Sequence, residues 1–170
     1  MTALIKIDHA WTQAGEGRPR PIRFCSHCGQ PSEEPPGRNH PITGKRVCEV
    51  CGMGLMLTCG RDALPGAGAA FLVARFDLSV SALSQAGERL FGLEQDVAGR
   101  YLLDLLTSPL GDDTLARHVG QAAQRARDAV VMPVRLRQSK SARAMAARIA
   151  TCGPPRAALV TVEPGGLEPR

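Results

Sequence analysis

Cys25-Ser26-His27-Cys28-Gly29 and Cys48-Glu49-Val50-Cys51-Gly52 state one phrase twice, Cys-x-x-Cys-Gly, on either side of a turn-rich insert. The spacing C-x2-C-x19-C-x2-C falls in the window of a site where four thiolates surround one metal ion. Each pair turns two sulfurs toward one point, and the glycine behind it can take the left-handed conformation that such a turn needs. In the insert, Pro31, Pro35, Pro36, Gly37 and Asn39 prevent a helix, and Pro41-Ile42-Thr43-Gly44-Lys45-Arg46-Val47 predicts a turn leading into a short strand. Four cysteines already complete a tetrahedron, so His27 and His40 are expected to be solvated loop residues rather than ligands.

Working outward, the 170-residue chain has room for one ordinary domain and a smaller module. Hydrophobic residues make up 44% and aromatics only 4%, which predicts an aliphatic core. A net charge of +5 permits acidic partners without specifying one. No apolar run approaches a membrane span and Met1 to Ala10 lacks the pattern of a signal peptide, so a cytoplasmic protein with no membrane partner is expected. In that compartment paired Cys-x-x-Cys motifs read as metal ligands rather than disulfides; Cys59 is expected to be buried packing, with a fifth-ligand or redox role as the alternative, and Cys152 inert packing.

Residues 1–22 read as a loose segment, with a short alternation at Leu4-Ile5-Lys6-Ile7-Asp8 and the only tryptophan, Trp11, expected to cover the edge of the metal module. Residues 23–60 resemble the zinc-ribbon family on the strength of the two knuckles. The resemblance implies Cys25, Cys28, Cys48 and Cys51 as ligands of a structural zinc ion, and a hairpin with two knuckles as the fold. A closed four-sulfur shell leaves no position for substrate, and a segment this short needs such a staple in place of a core. Iron bound as in rubredoxins uses the same knuckles, but the second one here lacks the proline of that pattern. Arg18, Arg20, Arg23, Arg38, Lys45 and Arg46 suggest a nucleic-acid surface, which Asp8, Glu16, Glu33, Glu34, Glu49 and Asp62 dilute.

After Leu64-Pro65-Gly66-Ala67-Gly68, within a linker over 61–68, the pattern changes to alternating strands and helices. Strands are predicted over 70–76 and 78–83, followed by a helix capped by Ser84, stopped by Gly92, and burying Ala86, Leu90 and Phe91. An apolar helical turn at 101–106 precedes a longer helix from Asp112 or Asp113 to Ala129, with a stripe of Leu115, Val119, Ala122 and Ala126. Strands over 131–138, 142–151 and 157–162 close the order.

That order, together with Phe71-Leu72-Val73, Ala86-Gly87-Glu88-Arg89-Leu90-Phe91-Gly92 and Val97-Ala98-Gly99-Arg100 before Leu103-Asp104-Leu105-Leu106, resembles the PAS domain over residues 69–164, with 165–170 as a tail. The resemblance implies an α+β fold: a five-stranded antiparallel sheet with helices on one face, in a sensor or protein-interaction module that is often dimeric. Flavin photosensors of that family carry a reactive cysteine where Leu102 stands, so their covalent photochemistry is excluded. Haem-binding members use a histidine on the long helix, which makes His118 the cofactor candidate; it also reads as a histidine at the core edge. The identity of any PAS ligand is left open. Arg117, Arg125, Arg127, Arg135, Arg137, Lys140, Arg143 and Arg148 against Asp128 read as a solvated face more readily than as a nucleic-acid surface.

The expectation is a non-enzymatic signalling or regulatory adaptor, with no catalytic residues, that acts on protein partners and forms a homodimer through its PAS-like half. The alternatives are a zinc-ribbon transcription regulator that binds nucleic acid and, third, a rubredoxin-like redox protein.

Overall fold

A computed structural model describes residues 21–32, 46–138 and 144–163. The strand expected over 4–8, Trp11, His40, Lys45 and the tail lie outside these residues.

Strand β1 (Pro21–Cys25) runs into the first knuckle, and a short β2 (Pro31–Ser32) returns beside it. The second knuckle leads into β3 (Met56–Gly60), which pairs with β1 over its whole length from Pro21↔Gly60 to Cys25↔Met56. A 3-10 turn at Arg61–Ala63 follows. Then come β4 (Ala70–Ala74), β5 (Val80–Leu83), α1 (Gln85–Phe91) and α2 (Glu94–Val97). A 3-10 turn at Leu102–Asp104 enters β6 (Leu106–Thr107), and α3 (Asp112–Gln124), β7 (Val130–Leu136), β8 (Met145–Gly153) and β9 (Ala157–Glu163) complete the chain.

The fold is a sheet-dominated α+β arrangement. Its centre is an antiparallel sheet in the order β5-β4-β9-β8-β7. Leu72, Val80, Ile149 and Val160 of that sheet share a core with Leu102, Leu115 and Val119 from the connecting turn and α3. Helix α1 lies tightly on β4 because residue 87 is glycine: a Cβ there would stand 2.7 Å from the Phe71 carbonyl oxygen. Ser84 caps α1 as expected, its hydroxyl accepting from the Gly87 amide at 2.9 Å, and Gly92 ends it at φ 106°.

Several predicted bounds are corrected. The β4–β5 turn is wider than expected because Asp77 takes both the amide and the hydroxyl of Ser79, with Leu78 at φ 65°. The helical turn predicted at 101–106 divides into a 3-10 turn and the strand β6, which pairs with β7. Helix α3 ends at Gln124 rather than Ala129. Arg125 is extended, its carbonyl accepting from the Thr151 hydroxyl at 3.1 Å, so Ala126 is exposed and Ala123 takes its place in the core. In α1 the buried positions are Gly87 and Phe91, while Ala86 and Leu90 are half-buried.

The nine-residue β8 joins the two stretches that differ in the sequence. One of its edges pairs with β9; along the other, β7 occupies the first half and β3 the end, through Thr58↔Gly153 and Cys59↔Cys152. A second core forms where the ribbon meets the sheet. Phe24, Leu57, Cys59 and Ala63 pack with Phe71, Val73, Ala150, Cys152 and Leu159, and Phe24 meets Phe71 edge-on at 5.8 Å between ring centroids. The segment read as a linker contributes Ala63 and Leu64 to this core. Among the described residues no helix is long and apolar enough to cross a membrane.

Candidate metal centre

The hairpin of β1 and β3 brings the two knuckles face to face. Gly29 at φ 75° and Gly52 at φ 67° adopt the left-handed conformation expected of them, and their amides return to the Cys25 and Cys48 carbonyls. The Ser26 amide donates to the Leu55 carbonyl at 2.8 Å and the Ser26 hydroxyl accepts from the Leu55 amide at 3.0 Å, while the Cys48 amide donates to the Gly54 carbonyl at 2.8 Å. The first knuckle is thereby tied to the exit of the second, and the second is closed onto its own exit.

The four sulfurs of Cys25, Cys28, Cys48 and Cys51 lie within 4.8 Å of one another. Cys25 Sγ is 3.6 Å from Cys51 Sγ, and Cys28 Sγ is 3.8 Å from Cys48 Sγ. A tetrahedron with metal–sulfur bonds of about 2.3 Å has sulfur–sulfur edges of about 3.8 Å, so the cage has the size of a zinc site. The donor set is closed and soft, and this group can hold a metal such as zinc. The amides of His27 and Cys28 point at Cys25 Sγ at 3.3 and 3.4 Å, and that of Gly54 at Cys51 Sγ at 3.5 Å. Such bonds favour thiolate. Burial opposes them: it raises the Cys25 thiol and pushes Cys28 up to about 12, whereas the Gly54 and Met53 amides bring Cys51 down to about 6.

Gly54 is a positioning residue that the sequence reading passed over. A Cβ on it would stand 2.2 Å from Cys25 Sγ and 2.8 Å from both Cβ and the amide nitrogen of His27. The signal available in the sequence was the second glycine of Gly52-Met53-Gly54, two residues beyond the knuckle.

His27 is half-buried rather than solvated, with Nδ1 buried and without a hydrogen-bond partner. Its carbonyl accepts from the Gln85 amide at 2.8 Å, tying the first knuckle to the start of α1. His118 is half-buried on α3, and burial, then Arg127 and Arg117, lower its pKa. A cleft of about 170 Å³ lies between α1 and β7, lined by Leu90, Phe91, Leu105, Leu136 and Gln138; His118 is not part of it. Among the described residues no second group of three or more cysteine, histidine or carboxylate side chains is close enough to hold an ion.

Three arginines of the basic stretch, and Arg156 beyond it, are bonded to groups of the fold at its surface. Arg127 donates to Gln121, Arg137 to Asp112 and to the Leu103 carbonyl, Arg148 to the Asp62 carbonyl at 2.8 Å, and Arg156 to the Gln124 carbonyl at 2.8 Å. The outer side of the second knuckle is apolar instead: Val50 is 76% and Met53 72% exposed, with Val47 and Leu55, which bridge one another, exposed beside them. Against protein-family models, curated proteins and solved structures, the chain finds no match.

Proposed function

We propose that the chain is a non-enzymatic signalling or regulatory adaptor, in which a structural zinc ribbon and a PAS-like sensing or interaction domain share one sheet. The observation that carries this reading is the apolar surface of Val47, Val50, Met53 and Leu55 on a hairpin that a closed sulfur cage holds rigid. Exposed apolar side chains gathered in one place mark sites where another macromolecule docks, and a protein partner is the class that fits. Five antiparallel strands with helices against one face support the PAS-like part of the reading.

Nucleic-acid binding is less well supported, because Arg137 and Arg148 of the basic stretch hold carbonyl and carboxylate groups of the fold. Protein purified from its host should carry one zinc and no chromophore by native mass spectrometry and absorption. Val50→Ser with Met53→Gln should keep the metal and lose at least tenfold in capture of the proteins that the wild type retains. Undiminished capture would overturn the docking role. Binding to random DNA that falls steeply with salt, and less steeply once Lys45 and Arg46 are alanine, would favour the nucleic-acid reading instead.

A further inference from the structure

Two cysteines stand outside the metal cage, and the fold places them opposite one another. Cys59 on β3 and Cys152 on β8 are register partners across the seam that joins the ribbon hairpin to the central sheet. Residues directly opposite in an antiparallel pair project from the same face, with Cα atoms about 4.5 to 5.5 Å apart whether or not the two exchange hydrogen bonds. A disulfide spans Cα separations of about 4.4 to 6.8 Å. The pair can therefore close with little movement of the backbone. Both thiols are free, both are fully buried, and both belong to the core shared by ribbon and sheet.

We propose that Cys59 and Cys152 form a peroxide-sensitive dithiol whose oxidation to a disulfide locks the ribbon onto the sheet. The Cys59 thiolate attacks one oxygen of hydrogen peroxide; the O–O bond breaks, leaving a sulfenic acid on Cys59, and the departing hydroxide takes up the thiol proton as water. The Cys152 sulfur then attacks the Cys59 sulfur. The S–S bond forms, the S–O bond breaks, and the Cys152 proton leaves with the hydroxide as a second water. Two thiols lose two electrons, and one peroxide becomes two waters.

Access comes through the seam. It holds two register pairs, against seven between β8 and β9, and local opening is easiest where few pairs hold an edge. Burial pushes the Cys59 thiol up to about 12, with the Asp62 charge adding to it, and raises Cys152 as well. The closed seam is thus slow to react, and the dithiol responds to peroxide when the ribbon lifts from β8. The bond closes a loop of about 90 residues, long enough to restrict the unfolded chain strongly.

The test uses the full zinc-loaded chain, treated with hydrogen peroxide, then alkylated in denaturant and mapped by mass spectrometry. The expected product is a Cys59–Cys152 linked peptide, lighter than its two thiol peptides by two hydrogens and released by dithiothreitol. The thermal midpoint of the oxidised chain should rise by about 8 °C or more, and this rise should be absent from Cys152→Ala. Phe24→Ala, which thins the shared core, should speed formation of the linked peptide at least tenfold without changing its identity. Full alkylation of Cys59 and Cys152 after peroxide treatment would overturn the proposal, as would linkage of either only to a cysteine of the metal cage. A rate unaffected by Phe24→Ala would overturn the opening route.

Discussion

Replacing Gly54 with alanine separates two reasons for a glycine near the metal cage. At Gly54 the added methyl would stand 2.2 Å from Cys25 Sγ and 2.8 Å from the His27 backbone nitrogen. Relief requires the Cys25 sulfur to leave a cage whose closest edge is 3.6 Å, or the first knuckle to part from the second at the Ser26–Leu55 hydrogen bonds of 2.8 and 3.0 Å. Neither a ligand sulfur nor a backbone amide is a flexible end that can swing aside. The cost sits at the upper end of overpacking, about 3 kcal/mol, or a zinc affinity about 100-fold weaker. At Gly52 an added Cβ meets nothing within 4 Å, but φ is 67°, so Gly52→Ala costs only the left-handed backbone, about 1 to 2 kcal/mol, or about 5- to 30-fold. Competition against a chromophoric zinc chelator measures both variants under one condition. A Gly54→Ala chain that binds zinc within threefold of the wild type would refute the geometry of the cage. A Gly52→Ala chain weaker than Gly54→Ala would reverse the reasoning.

Ser84→Ala removes an oxygen that accepts from the Phe71 and Gly87 amides, each at 2.9 Å, and donates to the Ala69 carbonyl at 3.1 Å. It should cost about 3 kcal/mol in urea denaturation and leave the zinc content unchanged. Phe24→Ala empties the centre of the shared core and should cost about 3 to 5 kcal/mol, with hydrogen-exchange protection lost first in β1 and β3. Asp112 is held below the usual carboxylate range by the Thr107 hydroxyl, then by the Ser108 amide and Arg137. A depressed folded pKa adds stability above the unfolded value and loses it as pH falls through the folded one. Asp112→Ala should therefore be less stable than the wild type at neutral pH, and the difference should shrink in urea titrations as pH falls through the ordinary carboxylate range and below it.

What was legible in the sequence was local. The knuckle spacing, the left-handed Gly29 and Gly52, the Ser84 cap and the Gly92 stop each depend on a few neighbouring residues, and each appears where the pattern places it. What was missed depends on partners far along the chain. The end of α3 is set by Thr151, twenty-six positions beyond Arg125, which captures the carbonyl that helical spacing through Ala126 would have used within the helix. Gly54 reads as part of an apolar strand or short helix leaving the site until the first knuckle is folded against it. Cys59 and Cys152 read as separate fillers because nothing near either one shows that β3 will extend the edge of β8.

One non-local feature did leave a trace. A strand with one face in water alternates apolar and polar residues, whereas a strand covered on both faces reads as a near-continuous apolar run. Ala157-Ala158-Leu159-Val160-Thr161-Val162 is such a run, and all six residues are buried. Val160 and Val162 join the helix-side core, while Ala157 and Leu159 join the core with the ribbon. Helices on one face alone would have left Leu159 and Ala157 against solvent, so the run already required a second layer. That layer is the ribbon hairpin, with Phe24 and Leu57 beneath the metal cage and Ala63 and Leu64 from the segment that follows. The four cysteines thus hold together a cover that completes the sheet, and metal removal should loosen β8 and β9 as well as the knuckles. Hydrogen exchange confined to residues 21–60 after chelation would show instead that the sheet stands without its cover.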